Sequence, residues 1–519
     1  MNPINLNNTK AFYYIISIIA LIYQLIIFKT TNDLLVILII FFSNLVTARY
    51  CFNYKIFFLY PISLLMIFFS HFMNLGGALY LKSLEFSLIT KNLEMPLNTT
   101  INLAFFNLLF LLSHYLYTES YYAKSIKNSL QKIFIKNDFF DIKNINYLYF
   151  LSAIALFTRI FYYDIDVIGL DQKTKEGLSL FQNFVNGFSF LYILPIVIYF
   201  SNDLTNIYGK RKNHLFLALF TICVFFISFS RNGRAILFDP VLLIFILIFL
   251  RFLFINSTTR KNNKAVFIII LILSFSSINV LENISKNFLE ERDITIKRTP
   301  IENVKSLFTN ILVNKDFFKY IKHKEQVGNV DFFAEDYYDA TIFNRMNFLL
   351  IHDNFNYIKK SLSKNQRSAL ADLQIDKIIS IIPMPIINIF SNNFSKETAQ
   401  RYSTASYLYG QVNYRFTNQS IGSGLFSVFI LFDKWTYLIF IFIFIPFFVL
   451  FDSFYNSEKK IFSPYILIFF YSTGSGILNL LAATDIYVWF ELTLRVIPQT
   501  LLLVFILNFI IKKLSLESR

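Results

Sequence analysis

The chain has 519 residues, is 55% hydrophobic, carries a formal net charge of +15 and contains only 13 Gly and 11 Pro. So apolar a composition argues against an ordinary soluble protein. The positive charge sits in alternate loops rather than on one face, which argues against a nucleic-acid binder.

Apolar runs long enough to cross a bilayer core of roughly 30 Å recur at 11–28, 34–48, 56–74, 101–117, 146–162, 181–200, 214–229, 235–255, 265–281, 435–451, 462–482 and 486–511. They predict an all-α polytopic membrane protein of about twelve transmembrane helices. The runs are continuous rather than alternating, which disfavours a strand barrel. The first run is followed by Lys29 and lacks a small-residue cleavage pattern, so it reads as a retained helix. Cys51 and Cys223 lie in or beside apolar runs and offer no disulfide framework. The five histidines show no ligand spacing, so neither a metal nor a cofactor is expected.

Basic clusters occur at 124–143, 210–212, 260–264, 459–460 and 512–519, and the loops between them are poorer in Lys and Arg. This is the positive-inside pattern. It predicts cytoplasmic termini and places residues 230–234 and 283–420 on the opposite side. Residues 1–282 then carry helices 1–9. Residues 283–432 form a large, mostly helical external loop between helices 9 and 10. Residues 433–519 carry helices 10–12.

A polar segment this long between two helices is too long for a connector and is expected to fold and carry function. "RTPIENV" opens one helix, with Thr299 as N-cap and Pro300 at its first position. A second is expected over 335–361, where Arg345, Leu349 and His352 share a face. A third covers 366–381. The segment 421–432 is apolar but too short to span, and reads as re-entrant or interfacial.

"FSRNGRAILFDP" (229–240) places Arg231 and Arg234 three residues apart at the lip of a hydrophobic helix. Arginine's planar fork binds phosphate bidentately and keeps its charge. A lipid phosphate or pyrophosphate is the obvious anion there; the bland reading is snorkelling to the headgroups. In the loop, Arg401 and Arg415 flank "YSTASYLYGQVNY" just before the chain re-enters the membrane, and His352 is a candidate proton acceptor. The dense Tyr and Phe with scattered Arg, Asn and Asp suit sugar rings. Glu491 and Arg495, spaced i, i+4 in the last helix, read equally as a functional pair or a structural one.

The helix count, the loop before the last three helices, "SFSRNGRAILFDPVLLIFIL", "IISIIPMPIINIF", "YSTASYLYGQVNYRF" and "IGSGLF" together resemble the Wzy-type O-antigen polymerases, also called oligosaccharide repeat-unit polymerases. An arginine followed by ten residues and a glycine, present in some members, is not found at Arg231, Arg401 or Arg415. The resemblance implies a metal-independent glycosyltransferase of the bacterial inner membrane, with both termini cytoplasmic. It would join undecaprenyl-pyrophosphate-linked oligosaccharides into O-antigen or a related polysaccharide at the periplasmic face. On that reading Arg231 and Arg234 hold the pyrophosphate, and His352, Arg345, Arg401 and Arg415 serve catalysis. Membrane lipid, a chain-length regulator and a flippase are the implied partners, and nucleic acid is not. The alternatives are an O-antigen ligase or a lipid-linked oligosaccharide flippase, the latter disfavoured by the long loop and the lack of two related halves.

Overall fold

This computed structural model describes residues 3–142, 145–161, 189–201, 204–207, 214–230, 234–254, 337–338, 341–382, 384–390, 394–396, 399, 403–411, 422–470, 476–478, 480 and 485–517. Among them, six helices are long and apolar enough to cross a membrane: Asn5–Ile27, Thr31–Cys51, Pro61–Leu84, Pro96–Glu119, Trp435–Asp452 and Ile486–Ile506. Shorter apolar helices, Leu191–Phe200, Leu215–Val224 and Pro240–Phe254, fall within three more of the expected runs. The chain is an all-α membrane protein in architecture. Its only described strands are two-residue pairs, Asp141–Ile142 parallel to Asn206–Ile207 and Tyr455–Asn456 antiparallel to Ile461–Phe462.

Local sequence explains where the helices start. Pro61 and Pro96 occupy first-turn positions, where a missing N–H costs nothing. Thr30 and Asp33 form a reciprocal capping box ahead of Thr31–Cys51. On Pro96–Glu119, Ile101, Phe105, Leu108, Leu112 and Tyr115 recur at helical spacing and are exposed, whereas Leu103, Phe106, Phe110 and Tyr117 are buried in the bundle. An apolar stripe left outside a packed core is the signature of a lipid-facing surface.

The bundle has two distinguishable ends. At one, Asp452 accepts hydrogen bonds from the backbone N–H groups of Ile62 and Ser63, both at 3.1 Å. There Lys127 donates to the Leu59 carbonyl at 3.2 Å, and Phe134 stacks on Phe454. Ser63 Oγ lies 2.8 Å from His114 Nε2, and Tyr50 Oη lies 2.9 Å from His114 Nδ1. At the other end, Asp353 caps Pro96–Glu119 and Lys377 pairs with Asp485 at the start of the last span. Phe254 packs on Phe57, Tyr455 and Phe462 at the first end. The helix Arg234–Phe254 therefore begins, at Arg234, toward the second end.

Three expectations are corrected. The helix expected over 335–361 is two, Thr341–Met346 and Leu349–Ser361, so Arg345 and His352 do not share one helical face. The break docks on a neighbour: Phe348 N–H donates to the Met73 carbonyl at 2.8 Å and Asn347 Nδ2 to the Phe72 carbonyl at 3.0 Å. The run expected over 56–74 is longer, reaching Leu84 through a π-helical turn at Phe72–Gly76. A side chain at Gly76 would collide with Asn44 Oδ1, so glycine permits the close approach of Thr31–Cys51 to this turn. The run 462–482 is not a continuous helix in its described part: helix covers only Pro464–Leu467. The chain then doubles back, with Ile477 N–H donating to the Phe469 carbonyl at 2.7 Å and Leu478 N–H to the Phe470 carbonyl at 3.0 Å. These bonds satisfy non-helical backbone buried inside protein.

The expected helix over 366–381 appears as Lys364–Ile379. The short segment before the tenth expected run is the buried helix Gly424–Phe432, reversed at Asp433, whose φ is 49°. Phe426 and Phe429 pack on Phe106 of Pro96–Glu119, so this helix sits within the bundle and not above it. The expected span at 265–281 and the "RTPIENV" helix lie outside the described residues.

Candidate anion-binding cleft

Asp353 anchors the site. It accepts from Glu94 N–H at 2.6 Å, Met95 N–H at 3.1 Å and Thr99 Oγ1 at 2.7 Å, and so terminates the donor end of Pro96–Glu119. Burial raises its carboxyl above the ordinary Asp range, and these three donors oppose the rise. One turn on, Asn356 Nδ2 donates to Thr99 Oγ1 at 3.0 Å. The next turn carries Lys359 and Lys360.

Asn356, Lys359 and Lys360 line an open cleft of about 400 Å³ together with Met95, Asn98, Ile101, Asn102, Arg367, Phe429 and Asp433. Lys359, Lys360 and Arg367 against Asp433 leave two positive charges in excess. Lys359 Nζ lies 2.6 Å from Asp433 Oδ1 and 3.3 Å from the centre of the Phe429 ring. The Lys359 hydrogen bond holds the Asp433 carboxyl below its ordinary range, with Arg367 and Lys434 adding to the effect. Arg367 donates Nη2 to the Lys359 carbonyl at 3.1 Å, while its Nε is buried without a partner. Such an orphan donor is costly in isolation and is satisfied when an acceptor arrives. Cations, three side-chain amides and an apolar floor suit an anion that carries hydroxyl groups.

Beneath the cleft, on the same helix, His352 is fully buried. Its Nδ1 is 2.7 Å from Ser423 Oγ and its Nε2 is 2.9 Å from Asn74 Oδ1. The Asn74 oxygen only accepts, so Nε2 carries the proton and Nδ1 receives the Ser423 hydroxyl. Burial pushes the imidazole pKa down to about 3, so it is neutral at physiological pH. Ser423 also caps Gly424–Phe432. His352 thus ties the cleft helix to Gly424–Phe432 and to the π-helical turn.

Of the other residues singled out in the sequence, Arg231, Arg401 and Arg415 lie outside the described residues. Arg234 and Arg345 are described as backbone only: Arg234 starts Arg234–Phe254 and Arg345 lies in Thr341–Met346. Glu491 and Arg495 do pair, at 3.6 Å, around the π-helical turn Leu492–Val496. Lys359, Lys360, Asn98, Asn102 and Asp433 were not singled out. The only signal in the sequence is "YIKKS" closing a helix, which reads as an ordinary basic C-terminus. No family model matches the chain, and neither a curated protein nor a solved structure is detectably similar to it.

Proposed function

We propose that the protein polymerises oligosaccharide repeat units carried on a lipid pyrophosphate, at the membrane face where the cleft opens. The observation that supports this reading is the cleft itself. It gathers Lys359, Lys360 and Arg367 beside amides and one carboxylate, at the end of a lipid-facing helix bundle. A lipid-linked glycan needs that combination: tail in the bilayer, pyrophosphate against cations, sugars against amides.

In the transfer, a hydroxyl oxygen of the acceptor sugar attacks the anomeric carbon of the donor. The bond to the pyrophosphate oxygen breaks, the pyrophosphate leaves with the electron pair, and the hydroxyl proton passes to a base or to water. Lys359, Lys360 and Arg367 stabilise the charge that develops on the leaving group. Asp433, held ionised, orients a sugar hydroxyl and is too weakly basic to be the main proton acceptor. Arg231, Arg234, Arg345, Arg401 and Arg415 are the further arginines this reading assigns to the pyrophosphate and glycan, and His352 positions the cleft helix. On this reading the membrane is the bacterial inner membrane, the cleft faces the periplasm and both termini are cytoplasmic.

The test is purified protein mixed with undecaprenyl-pyrophosphate-linked repeat units. Polymerisation yields a ladder of glycans and free undecaprenyl pyrophosphate, and Lys360→Glu suppresses both. An unchanged substrate pool with well-folded protein would refute the proposal.

A further inference from the structure

Immediately after the Pro96–Glu119 span, with Ser120 as the sole linker, the chain forms the helix Tyr121–Lys136. It carries Lys124, Lys127, Lys132 and Lys136 and no acidic residue. One face packs on the bundle: Ala123, Lys127 and Phe134 are buried there. Gln131 Nε2 donates to the Tyr455 carbonyl at 3.2 Å, and Lys127 Nζ sits 4.6 Å from the centre of the Tyr60 ring. These contacts fix the helix at the end of the bundle opposite the cleft.

The flank beside the packed face is apolar and uncovered. Tyr122, Ile126 and Ile133 are 80%, 55% and 53% exposed, and Tyr121 is 79% exposed. Around the helix, Lys132 and Lys136 follow this stripe on the far side from the core. The preceding span carries its own exposed apolar line, Ile101, Phe105, Leu108, Leu112 and Tyr115.

We infer that Tyr121–Lys136 is an interfacial helix that binds anionic lipid. Tyr122, Ile126 and Ile133 enter the boundary between headgroups and acyl chains, and Lys132 and Lys136 contact the negatively charged headgroups. Three observations carry this: the helix follows a span-length helix after a single residue, it leaves an apolar flank with two tyrosines uncovered, and it carries lysines beside that flank and no acidic residue. Lys127 is excluded from the lipid contact because it points inward, to Leu59 and Tyr60. A lysine near an anionic surface strengthens binding about fivefold, so two lysines give a marked preference for anionic over zwitterionic lipid.

The test uses the full-length protein in nanodiscs. Tryptophan is introduced by Ile126→Trp, and the added emission is measured with brominated phosphatidylglycerol, brominated phosphatidylcholine or iodide in the buffer. The expected result is quenching by bromolipid and protection from iodide, with phosphatidylglycerol preferred when the two lipids are mixed. Adding Lys132→Gln and Lys136→Gln should lower that preference about tenfold or more while leaving the depth unchanged. Iodide quenching without bromolipid quenching would overturn the inference and indicate that this flank faces water. Protection from both quenchers would equally overturn it and indicate a protein partner. An unchanged lipid preference in this lysine-to-glutamine variant would overturn the anionic part.

Discussion

Lys359 and Asp433, 74 residues apart in sequence, close one wall of the cleft through a 2.6 Å ion pair that also sets the lysine over Phe429. The Asp433 side chain is 61% exposed, so solvent screens the pair and its contribution to stability is expected to be below about 1 kcal/mol. Asp433→Asn should therefore barely move the melting temperature. If the proposed function holds, it should release Lys359 and slow glycan transfer instead, which a side-by-side measurement of thermal stability and ladder length will detect. A large loss of stability would show that the pair is structural.

Removing the other cations separates charge from folding. Lys360→Ala and Arg367→Ala should each slow transfer on the order of tenfold or more, the equivalent of one charge-assisted hydrogen bond of roughly 1.5–3 kcal/mol in the transition state. Membrane level should be unchanged for Lys360→Ala. Arg367→Lys should rescue poorly, because lysine keeps the charge and loses the fork. Ladder length on a gel, with protein abundance beside it, is the readout.

The buried ion pair of Lys377 and Asp485 behaves differently. The two side chains are 4% and 7% exposed and meet at 3.0 Å, and Asp485 also accepts from Thr404 N–H at 3.1 Å. Asp485→Ala strands a buried ammonium and should destabilise the protein by about 3–5 kcal/mol. Replacing both with Lys377→Met and Asp485→Leu should recover most of that loss. Denaturant titration in mild detergent measures all three proteins.

His352 should contribute a pH-dependent term. Its folded pKa, about 3, lies below the ordinary histidine value of about 6.5. The unfolded chain therefore binds the extra proton between these limits, and stability is complete above about pH 6.5 and falls as the pH drops toward 3. The slope is up to about 1.4 kcal/mol per pH unit from this one group. His352→Gln should flatten the stability–pH curve by that amount in the same window. An identical slope in wild type and variant would mean that His352 is accessible and titrates normally.

Much of this fold is legible in the sequence. Long apolar runs force helices because every backbone polar group must be satisfied within the segment, and Pro61 and Pro96 mark where two of them begin. The failures share a cause. The pattern over 335–361 is continuously helical, but Asn347 and Phe348 gain tertiary hydrogen bonds to Phe72 and Met73 that outweigh local propensity. In the run 462–482, Ile477 and Leu478 gain backbone hydrogen bonds to Phe469 and Phe470 in place of a continued helix. The cleft is not legible in this way: Asn98, Asn102, Lys359 and Asp433 are unremarkable until folding brings them together. His352 stands out in the sequence as a titratable residue, and only its partners Asn74 and Ser423 reveal that it holds three elements together.

The decisive measurement is the surface polysaccharide of a strain that lacks this gene, resolved on a gel beside the same strain complemented with wild type or with Lys360→Glu. A polymerase predicts that the deletion leaves a single repeat unit on the lipid core, that wild type restores the ladder and that Lys360→Glu does not. Complete loss of repeat units from the core would contradict polymerisation and point to ligation or lipid-linked transport, and an intact ladder in the deletion would remove the protein from the pathway.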